Sequence, residues 1–175
     1  MIDIIVADIT TLDVDAIVNA ANAALRGGGG VDGAIHRAAG PRLLAELERY
    51  SGCPTGDAVR TRGYELRARY VIHAVGPVWY GGSRSEPALL TRAYESAFAR
   101  AAEAGDVRTI AFPAISTGIY RFPKPQAAHR ALEAMLEHEP EYDAIVACLF
   151  DEESARLYRD TLEMLRARDR KPEDR

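Results

Sequence analysis

The stretch from Ala16 to His36 constrains this chain more than any other. An apolar run, Ala16 to Ala21, leads to the carboxamide of Asn22, then through the consecutive glycines Gly27 to Gly30 into Val31-Asp32-Gly33-Ala34-Ile35-His36. Such a run of glycines loses more backbone entropy on folding than any other tetrapeptide, and makes sense where main chain must press against something. The helix that follows offers unpaired N–H groups and the positive end of its dipole, so the expected guest is an anion, first of all a phosphate. A second loop repeats the chemistry. After the apolar Thr109 to Ala114 comes Ser116-Thr117-Gly118-Ile119-Tyr120, small and hydroxylic, ahead of the helix-opening Pro125. Two such loops, each leaving the end of a strand, are placed to clamp one diphosphate, because ligands of open α/β sheets sit beyond the carboxyl ends of the strands.

Elements alternate along the chain. Strands are expected over Ile2 to Val6, Ala16 to Ala21, Ala58 to Thr61, Tyr70 to Val75, Thr109 to Pro113 and Ala144 to Phe150. Helices are expected over Asp32 to Ala39, Arg42 to Tyr50, from Pro87 to Gly105, over Gln126 to Glu137 and over Glu153 to Arg168. This alternation predicts a three-layer α/β fold, a parallel or mixed sheet covered by helices on both faces. At 175 residues the chain reads as one domain over 1–168, able to bury a core without staples, followed by a charged, frayed tail over 169–175.

The formal net charge of −4 argues against a general nucleic-acid binder. Arginine supplies all but Lys124 and Lys171 of the 22 basic residues, a bias read as codon usage rather than as a guanidinium site. A phosphate would therefore be held mainly by backbone N–H groups. Cys53 and Cys148 form no spaced pair, which suggests neither a disulfide framework nor a zinc ribbon. With no secretory pattern ahead of the first strand and no apolar stretch of membrane length, a cytoplasmic protein without membrane contact is expected; a monomer is expected as well.

Asp8-Ile9-Thr10, Asn19 to Asn22, Gly27 to His36, Pro54-Thr55-Gly56, Val71 to Pro77 and Phe112 to Tyr120 together resemble a macrodomain of the MacroD type, in the same order and over about residues 1 to 167. The resemblance implies an α/β/α macrodomain with a mixed, roughly six-stranded central sheet. It also implies an ADP-ribosyl hydrolase or O-acetyl-ADP-ribose deacetylase needing no cofactor. Two positions depart from the family pattern: Ala7 and Arg121 each stand where glycine is usual. A long cation at 121 is expected either to narrow the cleft or to contact the protein that bears the modification.

Each candidate residue also has an ordinary reading. Asp32 is a helix cap or first-turn acid, or, beside the glycines, an ionised acceptor that activates or positions water. Asn22 is a turn-forming asparagine, or, as the resemblance implies, the group that orients the distal ribose. Asn19 is expected to satisfy nearby backbone. Asp8 forms an ordinary Asx turn, or accepts from the adenine amine while Ile9 supplies a backbone N–H to the ring. Phe150 is a core residue or, as the resemblance implies, the adenine-stacking aromatic, and Tyr120 a core or surface residue or, again by the resemblance, a wall of the distal-ribose site. Gly28, Gly29, Gly30, Val31, Ser116, Thr117, Gly118 and Ile119 are the expected diphosphate loops.

His36 shares a helical face with Asp32, yet no third metal ligand is evident, and His73 inside an apolar strand reads as a hydrogen-bonded core histidine, so no metal is expected. The glycine run lacks the Lys-Ser/Thr ending of an NTP-hydrolysing loop. The leading reading is a hydrolase acting on ADP-ribose esters, either mono-ADP-ribosylated Asp or Glu side chains or the acetyl ester, with ADP-ribosylated nucleic-acid ends as a further substrate class. A reader module that binds ADP-ribose without turnover is the rival.

Overall fold

The computed structural model describes residues 1–170, so most of the charged tail, 171–175, lies outside the described residues. In chain order the elements are β1 (Ile2–Val6), a 3-10 turn (Ile9–Thr11), β2 (Ala16–Ala21), α1 (Gly30–Ala39), α2 (Pro41–Leu47), β3 (Ala58–Arg62) and β4 (Tyr70–Val75). There follow α3 (Glu86–Ala104), β5 (Thr109–Phe112), α4 (Lys124–His138), a second 3-10 turn (Glu139–Glu141), β6 (Ala144–Leu149) and α5 (Glu152–Asp169). The strands form one six-stranded sheet in the order β1-β6-β5-β2-β4-β3. All pairings are parallel except β3 with β4, so the expected mixed sheet is observed.

Strand alternation sorts the side chains into two cores. On β2 the even residues Ala16 and Val18 face the layer of α3, α4 and α5, with Leu90, Tyr94, Phe98, Leu132 and Met135. Ile17 and Ala21 face the layer of α1 and α2, with Ile35, Leu43 and Leu47. Val71 and Val75 of β4 join this second face. Asn19 and His73 have the same parity as these neighbours and are register partners across β2 and β4. Two polar side chains therefore enter an otherwise apolar layer side by side, both 0 % exposed.

Element ends differ modestly from expectation. Helix α1 starts at Gly30, two residues before Asp32, because Gly33 N–H bonds Gly29 O and draws the last glycines into the first turn. Helix α2 stops at Leu47, and residues 48–50 continue only as turns, with Tyr50 N–H bonded to Leu47 O. Strands β5 and β6 each end one residue early, at Phe112 and Leu149, which releases Phe150 from the sheet. No helix among the described residues is long and apolar enough to cross a membrane.

Candidate functional site

Beyond the carboxyl ends of β2, β5 and β6 lies a cavity of about 490 Å³, a volume in the range of small-molecule sites. Its wall brings together Asn22, Gly28, Gly29, Gly30, Val31, Asp32, Ser116, Thr117, Gly118, Ile119, Tyr120 and Phe150, which the sequence places in separate segments. Gly76, from the Val71 to Pro77 segment, also lines it, as do Lys124, Asp151 and Ser154, to which the sequence assigns no role in a site. Asp151 is marked there only by its adjacency to a strand end, and Lys124 by its adjacency to the second loop.

The glycine loop is bare toward this space. A Cβ at Gly29 or Gly30 would meet nothing within 4 Å, whereas one at Gly28 would lie 3.2 Å from Asp32 Oδ2 and 3.5 Å from the Asn22 amide nitrogen. Gly28 thus leaves the gap between those two polar groups clear. Asn22 itself braces the loop: its Oδ1 accepts from Leu25 N–H at 3.1 Å and its Nδ2 donates to Gly27 O at 2.9 Å. The turn-forming reading of Asn22 is therefore met, while one amide hydrogen and one lone pair are left for the cavity.

Gly33 sets how closely α1 approaches this loop. A Cβ there would stand 2.5 Å from Gly28 O, so alanine forces that carbonyl, and the loop with it, away from the helix. Gly33→Ala is expected to cost about 1–3 kcal/mol of stability through overpacking; urea unfolding checks it, and wild-type stability would show that the loop yields without strain.

Asp32 is 6 % exposed and does not cap the helix. Gly29 holds the N-cap position with no side-chain cap bond, and Asp32 lies within the first turn. Its Oδ1 accepts from Asn19 Nδ2 at 2.7 Å, with His36 Nε2 3.4 Å away. The expectation that Asn19 serves nearby backbone is corrected here: its amide also meets His73 Nδ1 at 3.1 Å. Position decides this, because Asn19 points sideways into the layer between sheet and α1, where the backbone groups are taken up by the ladder.

His73 is the hydrogen-bonded core histidine its sequence setting suggested. Its Nε2 lies 3.0 Å from Thr61 Oγ1, whose hydroxyl is 3.1 Å from Arg62 O. Burial, with a smaller contribution from the His36 charge, pushes the imidazole down to about 3, so it is neutral at ordinary pH.

The second loop is tightly folded. Ser116 adopts φ +67° and Arg121 φ +61°, and Phe122 N–H closes the loop onto Ser116 O at 2.9 Å. Ser116 is buried against Gly76, where any Cβ would collide with its hydroxyl. Tyr120 is half-buried, and its carbonyl accepts from Trp79 N–H at 2.8 Å. Ile119 and Phe150 stand 92 % and 79 % exposed at the cavity, apolar groups of the kind that mark a binding surface. The core reading of Phe150 is thereby overturned, because β6 ends before it. Asp151 beside it caps α5 through Ser154 N–H at 2.8 Å, a bond that holds its carboxyl below the usual range.

Asp8 and Ile9 are not brought to the cavity wall. Asp8 Oδ1 accepts from Thr10 N–H at 3.0 Å and Thr10 Oγ1 at 2.7 Å, the ordinary Asx arrangement, and Ile9 is buried in the α1 layer. Asp8 nevertheless follows Val6, the register partner of Leu149, so it flanks the sheet end from which Phe150 projects.

The family model for the Macro domain matches residues 18–131. A Macro domain-containing protein of Ralstonia nicotianae is 56 % identical over 156 residues, covering 89 % of this chain and 91 % of that protein. The O-acetyl-ADP-ribose deacetylase of Klebsiella pneumoniae is 52 % identical over 164 residues, covering 90 % and 93 %. Among solved structures, an Oceanobacillus iheyensis macrodomain variant with ADPR superposes with a TM-score of 0.86 at 38 % identity, covering 94 % of this chain and 92 % of that one. By family model, sequence and fold alike, the chain belongs to the Macro domain family.

Proposed function

We propose that this protein binds ADP-ribose and hydrolyses its esters, O-acetyl-ADP-ribose and ADP-ribose linked to Asp or Glu side chains of proteins. The observation that carries the reading is Asp32: a buried carboxylate that caps nothing, held by Asn19 at the wall of the cavity and separated from Asn22 only by the bare Gly28. A pocket built only to hold ADP-ribose has no use for a carboxylate there. The names and ligands of the relatives support the ligand class.

In this reading the diphosphate lies between the backbone N–H groups of Gly28 to Val31 and those of Ser116 to Ile119, at the positive end of α1. Adenine rests against Phe150, with Asp8 and Ile9 at its edge, and the distal ribose meets Asn22 and Tyr120. Water adds to the ester carbonyl as Asp32 accepts or orients its proton. Collapse then breaks the bond to the ribose oxygen, which is protonated, leaving a carboxylic acid and ADP-ribose. Holding the bent ligand against a fixed water contributes most of the acceleration, and general-base help adds about 10²- to 10⁴-fold. Neither metal nor organic cofactor enters, and ADP-ribosylated nucleic-acid ends present comparable chemistry to the same pocket.

The test is a time course of ADP-ribose release from O-acetyl-ADP-ribose and from a glutamate-modified protein, beside a titration with free ADP-ribose. Release from either ester supports the hydrolase and identifies the preferred leaving group. Tight binding without release from either would make the protein a reader.

A further inference from the structure

We infer that His73 and Thr61, both outside the cavity, are positioning residues that hold the Asp32 carboxylate in place through Asn19. The inference rests on the reading of Asp32 as the catalytic carboxylate. Its basis is a chain of contacts with one permitted polarity. A carboxylate offers only acceptors, so the group of Asn19 lying 2.7 Å from Asp32 Oδ1 is the amide nitrogen. The second hydrogen of that nitrogen reaches His73 Nδ1 at 3.1 Å. Nδ1 must then accept, which leaves the imidazole proton on Nε2, 3.0 Å from Thr61 Oγ1. The threonine hydroxyl accepts it and donates onward to Arg62 O.

Behind Asp32, which stands at the cavity wall, the links lie in a layer that excludes water. Asn19 and His73 are 0 % exposed and Thr61 2 %, so no solvent molecule can substitute for a missing partner of Asn19 or His73 without opening the core. The register explains why the chain exists: Asn19 and His73 face one another across β2 and β4, and Val59, the neighbour of His73 on β3, sits two residues before Thr61. Three adjacent strands thus supply one polar group each to the layer between the sheet and helices α1 and α2. The remaining amide oxygen, Asn19 Oδ1, has no hydrogen-bond partner among the described residues. An unsatisfied carbonyl in a dry core is unfavourable by itself, and the amide keeps this orientation because both of its donors are taken. Without the acceptor at His73, Asn19 is free to rotate about its side-chain torsions, and Asp32 loses its fixed partner.

The variants are chosen to separate positioning from packing. His73→Leu fills the site but removes the acceptor, whereas His73→Asn returns an acceptor near the Nδ1 position while leaving a void. Turnover of O-acetyl-ADP-ribose is measured for both, for Asp32→Ala, and for His73→Leu combined with Asp32→Ala. His73→Leu is expected to lower kcat about 10-fold or more with KM and ADP-ribose affinity nearly unchanged, the signature of a misplaced group rather than a lost ligand contact. His73→Asn is expected to recover most of kcat despite lower stability. In the Asp32→Ala background, His73→Leu is expected to change nothing further. A further loss in that background, or equal defects in the leucine and asparagine variants, would overturn the relay. If His73→Leu does not fold, Thr61→Val and Thr61→Ser pose the same question, with loss of kcat expected only for valine. Wild-type turnover by Asp32→Ala would instead remove the assignment of Asp32, and the relay with it. Wild-type turnover by His73→Leu beside an inactive Asp32→Ala would remove the relay alone.

Discussion

Asp32→Ala is expected to slow ester hydrolysis by about 10²-fold or more while leaving ADP-ribose affinity close to that of the wild type. An N-cap aspartate replaced by alanine would instead lose about 1 kcal/mol of stability and keep its turnover. The structure has removed that alternative as a local contact, since Gly29 is the cap and the Asp32 carboxylate receives Asn19 rather than a helix N–H. Alanine also leaves the Asn19 amide without its strongest acceptor, a buried group whose loss of partner costs about 1–3 kcal/mol. For that reason rates should be compared at matched folded concentration. Asp32→Asn preserves shape and can still accept from Asn19 through its amide oxygen, so it separates loss of charge from loss of support. Turnover as low in asparagine as in alanine, with binding intact in both, would identify the charge as the working feature. Near-wild-type turnover in either variant would leave Asp32 as a structural partner of Asn19.

The second large effect is on stability in acid. His73 is held neutral by burial, down to about 3 from an ordinary value of 6.5. Below pH 6.5 the unfolded chain takes up a proton there that the native state refuses. The sign follows: the native state is fully favoured above pH 6.5 and loses stability as pH falls from 6.5 toward 3, at about 1.4 kcal/mol per pH unit. Between pH 6.5 and 4.5 this amounts to about 2 kcal/mol, a large share of a typical domain's total of about 5–15 kcal/mol. His138 works in the opposite sense, because Glu95 and Glu141 raise it against the opposing effect of burial, so the wild type alone would give a mixed profile. The difference between wild type and His73→Leu cancels that contribution. Urea unfolding of both proteins across pH 7.5 to 4.5 should show the wild type losing the greater stability, by the amount above. Parallel pH dependences would mean that His73 is protonated in the native state, which contradicts its role as an acceptor for Asn19.

What was legible from the sequence alone was whatever local pattern dictates. The apolar run Ala16–Ala21 is a strand with the expected limits, as is Tyr70–Val75, since alternating or continuous apolar runs bounded by turn residues specify strands without reference to their partners. Both loops were visible, because glycines and hydroxylic residues between a strand and a helix mark backbone that must approach a ligand. Only the tertiary structure decided which strands are neighbours, that β3 runs against β4, and that Phe150 stands in solvent while Asp8 turns back on Thr10. It alone joined Asn19, His73 and Thr61 beneath Asp32, because residues 19 and 73 become neighbours only when β2 and β4 pair in register. A hydrogen-bond relay of this kind is a property of nonlocal strand pairing, and no window along the chain contains more than one of its members apart from Thr61 with His73 and Asn19 with Asp32, each too far apart for local periodicity to connect.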